Sequence, residues 1–333
     1  MTVRLDILEA GPGLSLQDQG RPGHIGIGLS PGGAADRDAL LHGQTLLQNP
    51  PEAPALEMAG FGGKFRALST TRIALTGATM RATLNSEAIE PNTTFAIHPG
   101  DTLQIGAAIS GVFGYLHIAG GFTAQEALGG RGYHGIAGLG ALCQAGDILT
   151  APDDPTPDAP RQRLTLPKPK NDAIRIMNGP QTALFPEETR RRFEETIFTR
   201  SPRGNRQGVR LDQTREPFST GGQLTLTSDF IAAGDIQMTG DGTPYVLMAD
   251  CQTMGGYPRI GTVLPADLPR IAQAQPGTKL TFRFVSLEQA EAAWQSDDAR
   301  RAAFAKACTP LIRDPHEMGD LLSYELISRP VED

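Results

Sequence analysis

The chain has 333 residues, a formal net charge of −7 and 39% hydrophobic residues, enough to bury one large core or two ordinary ones. The acidic balance, with no basic block, argues against nucleic acid or an anionic membrane as partner, and no apolar run reaches the roughly 18 residues of a membrane span. The 39 glycines and 26 prolines have no period, which excludes a collagen-like chain and suits many short strands joined by tight turns.

In chain order, Val3–Leu8 alternates like a strand and Ala10–Gly13 breaks it. Leu14–Gln17 is a second short strand. A glycine-rich loop, Gly20–Gly33, follows Asp18 and carries Arg21 and His24. It feeds a helix expected over Asp36–Gln48, which Asn49-Pro50-Pro51 stops. The loop is either an anion site at a helix N-terminus or a plain turn capped by Asp36. Strands are expected at Ala55–Met58, Gly63–Ala67, Arg72–Thr76, Arg81–Leu84, Thr94–Ile97, Asp101–Ile105 and Gly114–Gly121. Gly129–Gly140 is a loop with Arg131, Tyr133 and His134, and Asp147–Leu149 is a last strand. The Pro- and Asp-rich stretch Ala151–Pro160 has nothing to bury and is expected to be a linker, dividing the chain at 1–160 and 161–333.

The second half restarts with a strand at Ala173–Met177 and a helix over Pro186–Glu195. Further strands are expected at Thr196–Arg200, Gly208–Leu211, Gln223–Thr227, Asp235–Met238 and Tyr245–Met248. A helix over Ala266–Gln273, a strand over Lys279–Val285 and one long helix over Leu287–Lys306 complete it. Two fragments echo the first half: Ile176–Pro180 resembles Ile7–Pro12, and Gln275–Leu280 resembles His98–Leu103. They suggest two β-domains of related plan, or coincidence in a Gly/Pro-rich chain.

No phosphate loop, His-Glu-x-x-His, nucleophile elbow or Cys-x-x-Cys is present. Two polar clusters on glycine-rich loops remain. The first holds Asp18, Arg21, His24 and Asp36-Arg37. The second, within Gln237–Arg259, holds Asp250, Gln252, Thr253, Tyr257 and Arg259. Asp250, at a strand end, is the candidate base or orienting group, with Asp18 as second carboxylate. Thr253 with the amides of Gly255 and Gly256 is a candidate oxyanion pocket. Arg21, Arg37, Arg206 and Arg259 are candidate clamps for a carboxylate or phosphate. Each Asp–Arg pairing also reads as a structural ion pair, His24 and His134 as loop hydrogen-bonders, and Cys251 as buried packing. Cys143, Cys251 and Cys308 are odd in number and far apart, so neither a disulfide framework nor a metal site is expected, and the cytoplasm is the expected compartment.

Gln17-Asp18-x-Gly20-Arg21-Pro22-Gly23, Pro31-x-Gly33-Ala34-x-Asp36-Arg37, Ala55-Leu56-Glu57, Leu75-Thr76-Gly77-Ala78 and Leu247-Met248-Ala249-Asp250-x-Gln252-Thr253-x-Gly255-Gly256-Tyr257-Pro258 together resemble one family. It is the family of the 5-oxoprolinase C subunit, also called KipA or allophanate hydrolase subunit 2, related to a carboxyltransferase domain of urea carboxylase. The resemblance spans about Val3 to Ala290, and departs from the family pattern at Cys251, Met254 and Ser30–Gly32. It implies two cyclophilin-like β-barrel domains, a KipI-like B subunit and a lactam-utilisation-like A subunit as partners, and ATP-driven conversion of 5-oxoproline to glutamate. ATP with Mg would act in the complex, and this chain would carry no covalent biotin. Two alternatives stand beside it: a carboxyltransferase half of a biotin-dependent urea or amide carboxylase, and a non-enzymatic antagonist of a kinase inhibitor.

Overall fold

Period-two alternation builds β1 (Thr2–Ala10), where Val3, Leu5 and Ile7 are buried and Thr2 and Arg4 exposed. In the computed structural model, which describes residues 2–167, 172–219 and 226–311, this strand anchors the first of two large sheets. It is followed by β2 (Ser15–Gln17), α1 (Arg37–Leu46), β3 (Ala55–Ala59), β4 (Phe61–Ala67), β5 (Thr71–Leu84), β6 (Glu87–Ala88), β7 (Thr94–Ile97), β8 (Thr102–Ile118) and β9 (Ile148–Pro152). The path through the first sheet is β2-β3-β8-β4-β1-β9, with β5 on β8 and β6 and β7 on β5.

The chain continues through β10 (Gln162–Leu164), β11 (Ile174–Met177), α2 (Glu187–Glu195), β12 (Phe198–Gly204), β13 (Gly208–Asp212), β14 (Asp229–Phe230), β15 (Asp235–Met238) and β16 (Pro244–Leu247). Then come β17 (Met254–Gly255), β18 (Arg259–Val263), α3 (Leu268–Gln273), β19 (Lys279–Leu280), β20 (Phe282–Phe284), α4 (Leu287–Ala293), α5 (Asp297–Ala307) and β21 (Cys308–Pro310). The second sheet runs β19-β12-β13-β16-β15-β18-β11-β20, antiparallel except for β11 with β20. One sheet curls into a half-barrel and the other nearly closes, so the mainly-β class expected from the sequence holds.

Several boundaries differ from expectation. Arg72–Thr76 and Arg81–Leu84 belong to one strand, β5, and Asp101–Ile105 and Gly114–Gly121 belong largely to another, β8. The intervening glycines do not end these strands. The β5–β8 register shifts at Gly77/Thr79, Thr79/Met80 and Met80/Ala82, so they mark bulges that bend the pair. The segment expected as Lys279–Val285 splits into β19 and β20, which pair with different neighbours. Leu287–Lys306 is two helices: Ser296 accepts from the Ala299 amide and starts a new one, with Asp297 and Asp298 in its first turn. The Ala151–Pro160 stretch is not a free linker. Ala151 and Pro152 end β9, and the buried side chain of Asp154 holds Arg72 by two bonds of 2.7 and 2.8 Å. The strand expected at Gln223–Thr227 falls mostly outside the described residues, and Leu226 and Thr227 are irregular.

One of the two echoes is structural. His98–Asp101 and Gln275–Thr278 form like turns, closed by Asp101 N–H to His98 O at 2.9 Å and Thr278 N–H to Gln275 O at 3.0 Å. Gly100 and Gly277 both adopt positive φ (95° and 91°), and each donates to a strand carbonyl at 2.8 Å, Ala67 and Arg200 respectively.

Val3, Leu5, Ile7, Phe65, Ile73 and Leu116 belong to the core of the first sheet. The core of the second is not its own: Ala35, Ala39, Leu40, Phe113 and Tyr115 from the first half pack into it beside Phe193, Phe198, Ile236 and Phe282. The last helix returns to the first half, where Phe304 meets His42 edge-on at 4.3 Å between ring centroids and Arg301 bonds Gln44 and Asn49.

Candidate functional site

The first glycine-rich loop is held open from within. Asp18 Oδ1 accepts from Gly20 N–H at 2.8 Å and Oδ2 from Arg131 N–H at 2.5 Å, so both oxygens serve backbone amides. Gly20 has a φ of 81°, and a Cβ there would fall 2.6 Å from Pro31 O, so only glycine closes this loop. Arg21 is 1% exposed. Its guanidinium donates to the carbonyls of Ala127 and Gly132, and Nη1 has no hydrogen-bond partner among the described residues.

The two glycine-rich loops meet. Gly32 N–H donates to Ala249 O at 3.1 Å, and a Cβ on Gly32 would lie 3.6 Å from both Arg21 Nη1 and Asp250 Oδ1. At this junction Arg206 joins both halves. It donates to Asp250 through Nε at 2.7 Å and Nη2 at 2.9 Å, to Gly33 O at 2.6 Å, and to Glu57 Oε1. Glu57 Oε2 accepts from Tyr115 OH at 2.7 Å and Ala35 N–H at 2.9 Å. The Tyr115 oxygen accepts from Asp36 N–H at 2.8 Å, and Asp36 caps α1 through the Ala39 amide while accepting from Gln273 Nε2 at 2.7 Å.

Charge in this buried chain is unevenly perturbed. Burial, with Glu57 beside it, raises Asp36 despite the Gln273 bond. Burial and then Glu57 and Asp36 hold the Tyr115 hydroxyl well above its ordinary value, so it stays a donor. Burial pulls Arg206 down, but Glu57 and Asp250 outweigh it and hold its pKa above the ordinary arginine value. One guanidinium facing two carboxylates in a dry junction is a firmly charged anchor.

A cavity of about 480 Å³ lies between the loop 27–30, the loop 134–139 and the turn 251–254. Ser30, His134, Gln252 and Thr253 supply its polar side chains; Ile27, Leu29, Ile136 and Met254 are among its apolar walls. No charged side chain lines it. Ser30 Oγ and His134 Nε2 are 2.9 Å apart, and both residues are buried. Cys251 also lines it, but burial, with Asp235 and Asp250 nearby, pushes its thiol up to about 12, leaving it protonated and unreactive.

The expected residues therefore divide. Thr253 and Gln252 line the cavity, while Asp250, Arg206 and Arg21 are outside its lining and gather around Gly32 and Gly33 at the junction. Arg37 and Arg259, expected as clamps, are engaged elsewhere. Arg37 reaches Asp297 of α5 and Gln19 O. Arg259 is buried among Gln181, Phe230 O, Asp235 and Asp229. Gly255 packs on Gln237 and Ile231, Gly256 lies near Leu226 O and Ser228, and Tyr257 is 45% exposed. Three residues here are not among the expected site residues: Glu57, carried by the family motif and the lone charge in the strand Ala55–Ala59, Ser30, in a stretch that departs from the family pattern, and Tyr115, which gives no signal of its own. Among the described residues no group of three or more His, Cys, Asp or Glu side chains is placed to hold a metal ion.

A family model, carboxyltransferase domain, subdomain A and B, matches residues 27–284. The chain is 32% identical over 292 residues to the C subunit of 5-oxoprolinase from Haemophilus influenzae, covering 86% of this chain and 93% of that one. It is 32% identical over 294 residues to the C subunit of 5-oxoprolinase from Escherichia coli, with the same coverage of both chains. Urea amidolyase of Lachancea kluyveri is 29% identical over 318 residues, 86% of this chain but 17% of that protein. Among solved structures, the K. lactis urea amidolyase superposes with a TM-score of 0.80 at 26% identity, covering 91% of this chain, which spans only 20% of that one. The two sheets, the loops that meet at Arg206 and these matches place the chain in the carboxyltransferase domain family, subdomains A and B.

Proposed function

We propose that this chain is the C-type subunit of an ATP-dependent 5-oxoprolinase, acting with B-type (KipI-like) and A-type (lactam-utilisation-like) partners to open 5-oxo-L-proline to L-glutamate. The observation that carries this reading is the match at 32% identity over 93% of the C subunit of H. influenzae 5-oxoprolinase. The cavity suits the chemistry. It offers hydroxyl and amide groups and apolar walls, which fit the uncharged lactam ring of 5-oxoproline, whose carboxylate lies outside this charge-free lining in the proposed binding mode. An unstrained lactam reacts slowly with water, and phosphorylation of its amide oxygen by ATP makes a better electrophile. In this reading ATP and Mg are supplied through the complex, and the chain carries no biotin. Thr253 and Gln252 face the ligand, and Asp250, Arg206 and Arg21 brace the junction of the two loops. The chain divides into units at 1–160 and 161–333, and the complex works in the cytoplasm.

The test is reconstitution. Purified B- and A-type subunits, 5-oxoproline, ATP and Mg are combined with and without this chain, and glutamate is measured. Glutamate is expected only with all components; equal yield without this chain overturns the reading. The superposition on K. lactis urea amidolyase favours a second reading, a carboxyltransferase acting on urea or a similar amide. It requires turnover with a biotin carboxylase, a biotinylated carrier, ATP, bicarbonate and urea, and assaying this chain in both mixtures decides between them.

A further inference from the structure

The Ser30–His134 contact has a direction. His134 Nδ1 accepts from the Ala137 backbone N–H at 3.3 Å, so that nitrogen carries no proton. The ring proton of the neutral side chain is then on Nε2, and Nε2–H donates to Ser30 Oγ at 2.9 Å. This polarity is the reverse of a Ser–His nucleophile pair, in which the histidine accepts from the serine. Ser30 Oγ has no other hydrogen-bond partner among the described residues, and its residue lines the cavity. With its oxygen already receiving a hydrogen bond, the hydroxyl hydrogen is free to point away from the ring.

The histidine is fixed in place. His134 is 1% exposed, its N–H and C=O both bond Leu139, and a Cβ on Gly32 would fall 2.9 Å from its Cδ2. The lining beyond Ser30 holds Thr253 and Gln252 but no charged side chain. A lactam carbonyl entering here needs only a donor, whereas a carboxylate would lose its hydration without meeting a cation, so the carboxylate of 5-oxoproline has to stay outside this lining.

We propose that Ser30 is the donor that receives a neutral carbonyl oxygen in this cavity, and that His134 is its positioning residue. The proposal rests on the reading of the cavity as the lactam site, but its test is separable. The first measurement is ¹⁵N-histidine NMR of the full chain, with 2-pyrrolidinone as a neutral lactam probe and succinate as a carboxylate-only probe. His134 is expected in the Nε2–H form and its signals are expected to move with 2-pyrrolidinone and not with succinate. Ser30→Ala is expected to weaken that binding about ten-fold, the effect of one neutral hydrogen bond. His134→Gln, whose amide can still donate to Ser30, should restore most of what His134→Phe loses.

An Nδ1–H tautomer, or succinate binding as well as 2-pyrrolidinone, overturns the proposal, as does unchanged 2-pyrrolidinone affinity in a folded Ser30→Ala chain. Failure of 2-pyrrolidinone to bind the unaltered chain overturns it too. In the reconstituted complex the loss is expected in KM for 5-oxoproline. Absence of any turnover there, with the NMR results intact, would instead remove the 5-oxoprolinase reading and leave the donor assignment standing.

Discussion

Asp250 grips Arg206 at two points, Nε to Oδ2 at 2.7 Å and Nη2 to Oδ1 at 2.9 Å, and the same guanidinium crosses to Glu57 on the other sheet. The carboxylate that marks the second glycine-rich loop is thus committed to a neighbour rather than open to a ligand. Through Arg206 it ties the two halves together.

Removing that guanidinium strands two buried carboxylates. Arg206→Ala is expected to cost about 3–5 kcal/mol, the usual effect of leaving a buried charge unpaired. Arg206→Lys keeps the charge but not the fork that reaches Glu57, Asp250 and Gly33 together, and is expected to recover only part of the loss. Urea unfolding midpoints of the two variants check both statements, and equal midpoints for Ala and wild type would sink them.

Gly43 in α1 invites substitution, because glycine in a helix costs about 1 kcal/mol relative to alanine. Here the sign reverses. A Cβ would lie 2.1 Å from Cδ2 of His117, whose Nε2 is hydrogen-bonded to Thr76 Oγ1 at 2.9 Å. Gly43→Ala is expected to destabilise by about 1–3 kcal/mol, the range for overpacking a tight core, measured as a lowered thermal midpoint.

Acid sensitivity follows from two buried histidines. Burial pushes His42 down to about 4 and His117, with His42 beside it, down to about 3. Both folded values lie below the unfolded value near 6.5, so the unfolded chain binds more protons in between. Their contribution is therefore full above about pH 6.5 and falls as pH drops towards 4. Asp36, raised by burial, works in the opposite sense as its carboxyl protonates. His42→Leu is expected to flatten the fall in stability between pH 6.5 and 4, by up to about 3 kcal/mol at the acid end. A stability–pH curve parallel to wild type refutes the assignment.

Chemical labelling checks the cysteines. Cys251 is pushed up to about 12 and Cys143 up to about 11, in each case mainly by burial. The native chain is expected to resist iodoacetamide at pH 8 at both positions, and Cys251→Ala is expected to retain turnover in the reconstituted complex. Rapid labelling of native Cys251 would overturn this and make it a candidate nucleophile.

Two substitutions separate the cavity from its surroundings. Thr253→Val removes a hydroxyl from the lining and is expected to lower kcat/KM about ten-fold. Arg37→Ala breaks only the exposed link to Asp297 and Gln19 and is expected to leave kcat/KM within about two-fold. Steady-state glutamate formation compares them, and the reverse ranking would relocate the site.

Much of the fold was legible because local chemistry and global structure agree in most elements. Alternation gave β1, the turn residues around Thr94–Ile97 gave β7, and Asp36 with the double proline bounded α1. The misreadings share a cause. Gly77 and Gly106 read as strand ends, yet the paired strand continues on both sides of each and the β5–β8 ladder bends there instead of stopping. Ser296-Asp297-Asp298 is a helix start inside a stretch of good helix formers, and composition drowned it. At the site, strand ends and glycines located the two loops, but partner choice among charges is a three-dimensional fact. Nothing local distinguishes Arg206, which anchors the junction, from Arg37, which turns to α5.

β10 and β21 lie side by side, with Leu164 opposite Cys308 and Gln162 opposite Pro310. The second sheet is therefore a loop of about 150 residues whose way in and way out share one doorstep, against Leu46, Leu47 and Phe304. This ribbon is one of several ties between the two halves, beside the core shared through Phe113 and Tyr115 and the junction at Arg206. The matching region makes up only 17% of the Lachancea kluyveri urea amidolyase and 20% of the K. lactis chain, which is the arrangement such a doorstep permits.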